Sequence, residues 1–281
     1  MPQDNRKIFN LFLYIAGAVI VTLVIVIMFR NNPKNVSSNP DTWPKFDVNA
    51  LPADSNGKMV RYGYNLLMET SNIVGPGVTD TAMRFAGNNL ECRNCHFEAG
   101  QVKNSYNLVG VSNRYPYLDK STGQTTSLVQ RVNGCFMRSM NGRPMPEESF
   151  HMRSIIAYLN WMSSGVPKDL DGVNIKDVGK IDRQPDTVRG KSVFANKCMS
   201  CHADVGLGVL KNPEIHGGVK YIIPPVAGDD SFNDAAGMAS MEYLVNFLKT
   251  QMPKNNPGSL SLEDAYDCAA YVLSLPRPHY K

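Results

Sequence analysis

The sequence predicts a mainly α-helical protein: an N-terminal transmembrane helix, then two small helical domains in tandem. Three observations predict it. An apolar stretch of 22 residues runs from Ile8 to Phe29. The five-residue pattern Cys-x-x-Cys-His occurs twice, as Cys92-Arg93-Asn94-Cys95-His96 and as Cys198-Met199-Ser200-Cys201-His202. Each pattern heads a segment that repeats one plan: helix, box, long loop, closing helix with Ala-Tyr-(Leu/Val). The closing triplets are Ala157-Tyr158-Leu159 and Ala270-Tyr271-Val272.

The chain has 281 residues, enough for more than one domain. Its net charge of +4 with 19% charged residues carries no basic excess of the kind that binds nucleic acid, and none is expected as a partner. Residues 1–7 are expected in the cytoplasm and 8–29 in the membrane, since a core of about 30 Å needs about 20 residues at about 1.5 Å each. A cleaved signal peptide would have a shorter apolar region ending at a small-residue site. Here the exit is Ile27-Met28-Phe29-Arg30, so an uncleaved single span is expected.

Residues 30–57 are rich in Asn, Pro, Ser and Asp and read as a tether. The first domain, 58–165, opens with a helix near Met59, where Val60, Tyr64, Leu67 and Met68 share a face. It closes with a helix over about Glu147 to Met162, with Pro146 in its first turn. A linker, 166–186, leads to the second domain, 187–281. There a short helix from Val188 runs into Cys198. The last helix, about Leu262 to Leu275, is capped by Ser261 with Asp264 three residues on, and stopped by Pro276 and Pro278. No strand-like alternation stands out.

The two boxes decide the chemistry. Cys-x-x-Cys-His attaches haem c: two thioethers fix the porphyrin and the histidine ligates the iron. Two covalently bound haems and two cytochrome c domains are therefore expected, with Cys92, Cys95 and His96 holding the first and Cys198, Cys201 and His202 the second. Attachment of c-type haem takes place outside the bacterial cytoplasmic membrane. The expected location is thus that membrane, single-pass, with the haem domains on the periplasmic side.

Each iron needs a sixth ligand. In the second domain Met238, Met241 and Met252 are available, and spacing before the last helix slightly favours Met252. Thioether ligation raises the potential, which suits an electron exit. In the first domain the candidates are Cys135, Met137, Met140, Met145, His151 and Met152. Cys135 stands out because Arg131, Arg138 and Arg143 surround it in sequence, and a cationic setting favours thiolate. Cys268 lies in the apolar run of the last helix and reads as core.

From Arg61 to Pro278 the chain resembles the dihaem thiosulfate dehydrogenases, which join two thiosulfates into tetrathionate or run the reverse. The resemblance rests on Gly87-Asn88-Asn89-Leu90 and Arg131-x-Asn133-x-Cys135-x-x-Arg138-Ser139-Met140-Asn141-Gly142. It continues in Ala157-Tyr158-Leu159-x-Trp161, Pro224-Pro225, Ser231-Phe232-Asn233-x-x-x-Gly237-Met238, Met252-Pro253 and Ala265-Tyr266-Asp267. It implies His96/Cys135 ligation at the first haem, the active site, with Arg131 and Ser139 lining the substrate pocket. It points to Met238 rather than Met252 at the second haem. Some members carry a lysine just before that methionine and exchange ligands on reduction; Gly237 stands there, so no such switch is expected. A second pocket arginine of the family falls near Lys120-Ser121, where Lys120 keeps the charge but not the bidentate fork. In the expected mechanism Arg131, Lys120 and Ser139 hold the sulfonate end of thiosulfate. Its outer sulfur joins Cys135, and a second thiosulfate displaces it by exchange chemistry. A cytochrome or a membrane-bound oxidase or complex would take the electrons. Two other classes fit the composition: a non-catalytic dihaem subunit of a respiratory complex, and a sulfur-transferase cytochrome of the Sox type.

Overall fold

A computed structural model describes residues 43–170, 177–211 and 221–281. The apolar stretch at 8–29 lies outside these, and among the described residues no helix is long and apolar enough to cross a membrane. His216 also lies outside them.

Six helices organise the described chain: α1 Ser55–Met68, α2 Leu128–Arg138, α3 Phe150–Trp161, α4 Thr187–Lys197, α5 Met241–Gln251 and α6 Leu262–Ser274. Side chains begin five of them. The oxygens of Asp54, Ser127, Ser149, Asp186 and Ser261 accept backbone N–H bonds in the first turns of α1, α2, α3, α4 and α6. This satisfies donors a helix start leaves orphaned. Two antiparallel hairpins, β1 Tyr117–Leu118 with β2 Thr125–Thr126 and β3 Val209–Leu210 with β4 Tyr221–Ile223, were not expected. The strands are too short for alternation to register.

The repeat inferred from the sequence is physical. In the first half α1 crosses α3 at Gly63, where a Cβ would stand 2.0 Å from the Ser154 carbonyl oxygen and 2.9 Å from the Tyr158 Cβ. In the second, α4 crosses α6 at Gly190, 2.0 Å from the Asp267 carbonyl oxygen and 3.0 Å from the Tyr271 Cβ. The two repeated tyrosines mark the same crossing, and each crossing needs a glycine to let backbones meet. A core forms around each: Val60, Leu66, Phe136, Met152, Ile155 and Tyr158 in one, Phe194, Leu244, Leu248, Ala265, Cys268 and Ala269 in the other.

Some boundaries differ from expectation. The closing helix of the first half begins at Phe150, not Glu147, because the Ser149 hydroxyl caps it; Pro146 sits in the preceding turn and accepts from the Ser149 N–H. Part of the expected tether is seated on the first domain: Trp43 donates to the Gln101 carbonyl at 2.5 Å, and Phe46 meets the Trp161 ring edge-on. Part of the expected linker is seated on the second: Arg183 binds the buried Asp267 carboxylate, and Tyr266 donates to the Arg183 carbonyl.

The halves also interlock. Asn88 donates to the Ser139 and Ser231 carbonyls, Asp230 accepts from Asn89, and Asn233 donates to the Met137 carbonyl. On another side Tyr106 packs on Phe247 and donates to the Tyr243 carbonyl at 2.7 Å.

Candidate active site

Between the first box and α2 lies a cavity of about 630 Å³. Its wall includes Cys92, Cys95, His96, Leu67, Leu108, Arg114, Tyr115, Arg131, Cys135, Arg138, Ser139 and Met140, with Met238 and Tyr243 from the second half. The box residues reach it through a short turn, Cys92–Asn94, fastened by a reciprocal capping box between Glu91 and Asn94. Helix α2, opened by the Ser127/Gln130 capping box, brings Arg131, Cys135 and Arg138 to the opposite wall.

The cavity's thiols are in different states. Burial pushes the Cys92 and Cys95 thiols up to about 12. Burial pushes Cys135 up too, but the facing His96 imidazole and the charges of Arg131 and Arg138 outweigh it and bring it down to about 7. Arg131, one helical turn earlier, donates to the Cys135 sulfur at 3.1 Å. The charge of Cys135 in turn raises the Arg131 guanidinium against the cost of its burial. Two thiols beside the histidine and one thiolate-prone thiol across from it thus face the same cavity.

The histidine is preset for iron. His96 Nδ1 lies 2.5 Å from the Tyr106 carbonyl oxygen, which fixes the ring and leaves Nε2 for the metal. His202 repeats the arrangement, with Nδ1 2.9 Å from the Pro224 carbonyl oxygen. The apolar volume, the paired thiols and the oriented imidazole fit a covalently attached haem.

The other expected site residues divide. Ser139 ends α2 and lines the cavity, its carbonyl held by the buried Asn88. Lys120 stands exposed on the β1–β2 turn and is not part of the cavity wall, whereas Tyr117 of that hairpin is. His151 is buried against Tyr62, with Nδ1 2.8 Å from its hydroxyl, and does not reach the cavity. Met238 packs against both cores, while Met241 and Met252 pack against the second. Cys268 is a free thiol buried in the second core, with Cys198 packed against that core. His279 pairs with Asp234 at 2.7 Å. Much of the string around Cys135 is scaffold. Asn133 holds Met145 by two hydrogen bonds, Asn141 takes a left-handed backbone at φ +47°, and a Cβ on Gly142 would strike the Phe85 carbonyl oxygen at 2.0 Å. Sequence reasoning missed Arg114, whose only signal was a cation on an irregular segment.

Residues 83–167 match the model of the SoxA/TsdA cytochrome c domain, and residues 185–272 that of cytochrome c oxidase, cbb3-type, subunit III. The chain is 36% identical over 230 residues to the thiosulfate dehydrogenase of Stutzerimonas stutzeri, covering 81% of this chain and 70% of that one. The chain belongs to the thiosulfate dehydrogenase family. It is 35% identical to the Psychrobacter arcticus member, over 87% of this chain and 71% of that one. The Allochromatium vinosum member is 36% identical, over 70% of this chain and 73% of that one. In fold it is similar to a solved thiosulfate dehydrogenase (TsdBA) from Marichromatium purpuratum, in its as-isolated form, with a TM-score of 0.75 at 24% identity. The match covers 88% of this chain and 52% of the solved one, so this chain spans about half that length. Family and domains together give two cytochrome c domains carrying two covalently bound c-type haems.

Proposed function

We propose that this protein oxidises thiosulfate to tetrathionate, or runs the reverse, at Cys135 in the first cavity. The observation that carries the reading is the Cys135 thiol, drawn down to about 7 opposite His96 with Arg131 donating to its sulfur at 3.1 Å. Two thiosulfate dianions repel, so the site must neutralise them before sulfur meets sulfur. Arg131 and the Ser139 hydroxyl hold the sulfonate end, and Lys120, on the neighbouring hairpin, adds positive field. The Cys135 thiolate and the outer sulfur of one thiosulfate join, releasing two electrons and leaving a cysteine S-thiosulfonate. A second thiosulfate attacks the sulfane sulfur bonded to Cys135; the bond to Cys135 breaks, the thiolate returns, and tetrathionate leaves. The haems, when bound, take the electrons singly and pass them to a cytochrome or a membrane-bound acceptor.

His96 and Cys135 ligate the first iron in this reading, His202 and Met238 the second. Met238 is preferred over Met252 because the family pattern Gly237-Met238 points to it, and like Met252 it packs against the second core. Residues 8–29 anchor the chain in the cytoplasmic membrane with the haem domains outside; an apolar length broken only by Asn10, Tyr14, Gly17 and Thr22 supports this. A second reading, a non-catalytic electron-transfer subunit, draws on the likeness of residues 185–272 to an oxidase subunit.

A dye-coupled assay on the full chain decides between them. Thiosulfate-dependent reduction of ferricyanide and tetrathionate-dependent oxidation of a reduced viologen are followed, with Cys135→Gly in parallel. Turnover in either direction that falls at least about a thousandfold in the variant is expected, as for loss of a nucleophile. No turnover either way, with both haems reducible, refutes the enzyme and leaves the electron carrier.

A further inference from the structure

Three arginines line the first cavity, and they are not in the same condition. Arg131 is committed to the Cys135 sulfur. Arg138 folds back over Gly134, where a Cβ would stand 2.5 Å from its Nη2, and its charge bears on Cys135. Arg114 ends the helical turn Val111–Arg114 and faces the same cavity. Among the described residues its guanidinium has no hydrogen bond and no carboxylate partner. Its side chain is exposed while lining the cavity, and partial desolvation pulls it below the ordinary arginine value. A cation without a carboxylate partner among the described residues thus stands where an incoming anion can meet it. Lys120, exposed on the hairpin six residues on, does not reach this wall.

We propose that Arg114 is an oxyanion-binding residue of the first cavity. Its planar fork suits two oxygens of one group, as a lysine ammonium does not. Two groups of that chemistry enter this cavity: the sulfonate end of thiosulfate, which rests on the reading above, and a propionate of the attached haem, which does not. With Arg131 shared between the Cys135 sulfur and the sulfonate, Arg114 supplies a further cation that the Cys135 motif does not contain.

The test uses the full haem-loaded chain with Arg114→Gln and Arg114→Lys. Three readouts are taken: KM and kcat for thiosulfate, the half-saturating thiosulfate concentration for perturbing the oxidised Soret band, and the potential of the first haem against pH. If Arg114 takes the substrate, Arg114→Gln raises KM and the half-saturating concentration roughly ten- to a hundredfold, the loss of a charged hydrogen bond. In that case kcat stays within about threefold, the potential holds, and Arg114→Lys recovers part of the affinity. If it takes a propionate, the potential of the first haem falls and its pH dependence shifts, with thiosulfate affinity unchanged. A glutamine variant equal to wild type in all three overturns the proposal. Should the wild type turn over no thiosulfate, the proposed function fails while the potential still tests Arg114.

Discussion

Gly190→Ala should destabilise the second domain, and Gly134→Ala, the same substitution in another helix, should not. At Gly190 the new methyl would stand 2.0 Å from the Asp267 carbonyl oxygen, 2.6 Å from its carbon and 3.0 Å from the Tyr271 Cβ. Two of these are backbone atoms and the third is the root of a side chain, so nothing can rotate away. To reach even a 3.0 Å contact, α4 and α6 must part by about 1 Å. That interface holds Phe194, Ala265, Cys268, Ala269 and Val272. Overpacking of this kind costs roughly 1–3 kcal/mol, and more where backbone must move. Alanine's helix propensity returns up to about 1 kcal/mol. The expected net loss is about 2 kcal/mol.

At Gly134 the same methyl would meet only Arg138, at 2.5 Å from its Nη2, the tip of a flexible side chain. The arginine swings aside, the helix gains up to about 1 kcal/mol, and the cost falls on function, because Arg138 leaves Cys135. The assay is denaturant unfolding of the haem-loaded chain followed by circular dichroism and the Soret band, with thiosulfate turnover measured alongside. Gly190→Ala should unfold earlier with its cavity chemistry intact; Gly134→Ala should unfold no earlier and turn over more slowly. A Gly190→Ala midpoint at or above wild type would refute the steric argument, and with it the view that both domains are built on a glycine crossing.

Asp267→Asn should lower the melting temperature at pH 7 by roughly 5 °C, since the buried carboxylate accepts from Arg183, Arg189 and the Asp186 N–H. Those partners hold Asp267 well below the usual carboxylate range, so its contribution is fully present above an unfolded value of about 3.9 and is lost as pH falls toward the depressed folded value. The gap between wild type and variant, read from melts at a series of pH values, should therefore narrow below about pH 4; a gap that widens there would contradict the assignment. Asn88→Ala should cost roughly 2 kcal/mol by leaving the Ser139 and Ser231 carbonyls unpaired. It should also slow turnover, because Ser139 is then less well held; unchanged unfolding would show that water replaces the amide.

The elements legible in the sequence were those with local chemistry. The boxes announced themselves, Ser261 announced α6, and the repeated tyrosines announced a repeated plan, though not that each marks a helix crossing of a glycine against a carbonyl. Helices α2 and α5 were lost in what read as long loops. In α2, Gly134 and Asn133 interrupt the helical signal, and only the Ser127/Gln130 pair marks the start. In α5, Leu244, Val245, Phe247 and Leu248 are buried together with Asn246 and Gln251, so no clean polar face shows. The interdomain lock was invisible for a different reason. Asn88, Asn89, Asp230 and Asn233 look like loop residues, and hydrogen bonds between segments 141 or 143 positions apart leave no period in either. At the site, Cys135 stood out because Arg131, Arg138 and Arg143 lie near it in sequence, and Arg131 was named through the family resemblance. Which of Lys120 and Arg114 faces inward was not readable, because a hairpin and a helical turn decide it.

The lock gives a physical reason for the two haem domains to behave as one device. Residues 231–243 leave the second domain, bond through Asn233 to the end of α2, and set Met238 and Tyr243 in the wall of the first cavity. They then return as α5, which packs on the second core. Cys135 lies on α2, so the helix that carries it is braced by the segment that leads to the second domain. A tandem joined only by its linker would leave the separation of the domains to chance encounters. Here side chain to backbone bonds at Asn88 and Asn233 set it, and such bonds resist sliding because each buried amide would otherwise lose its partner.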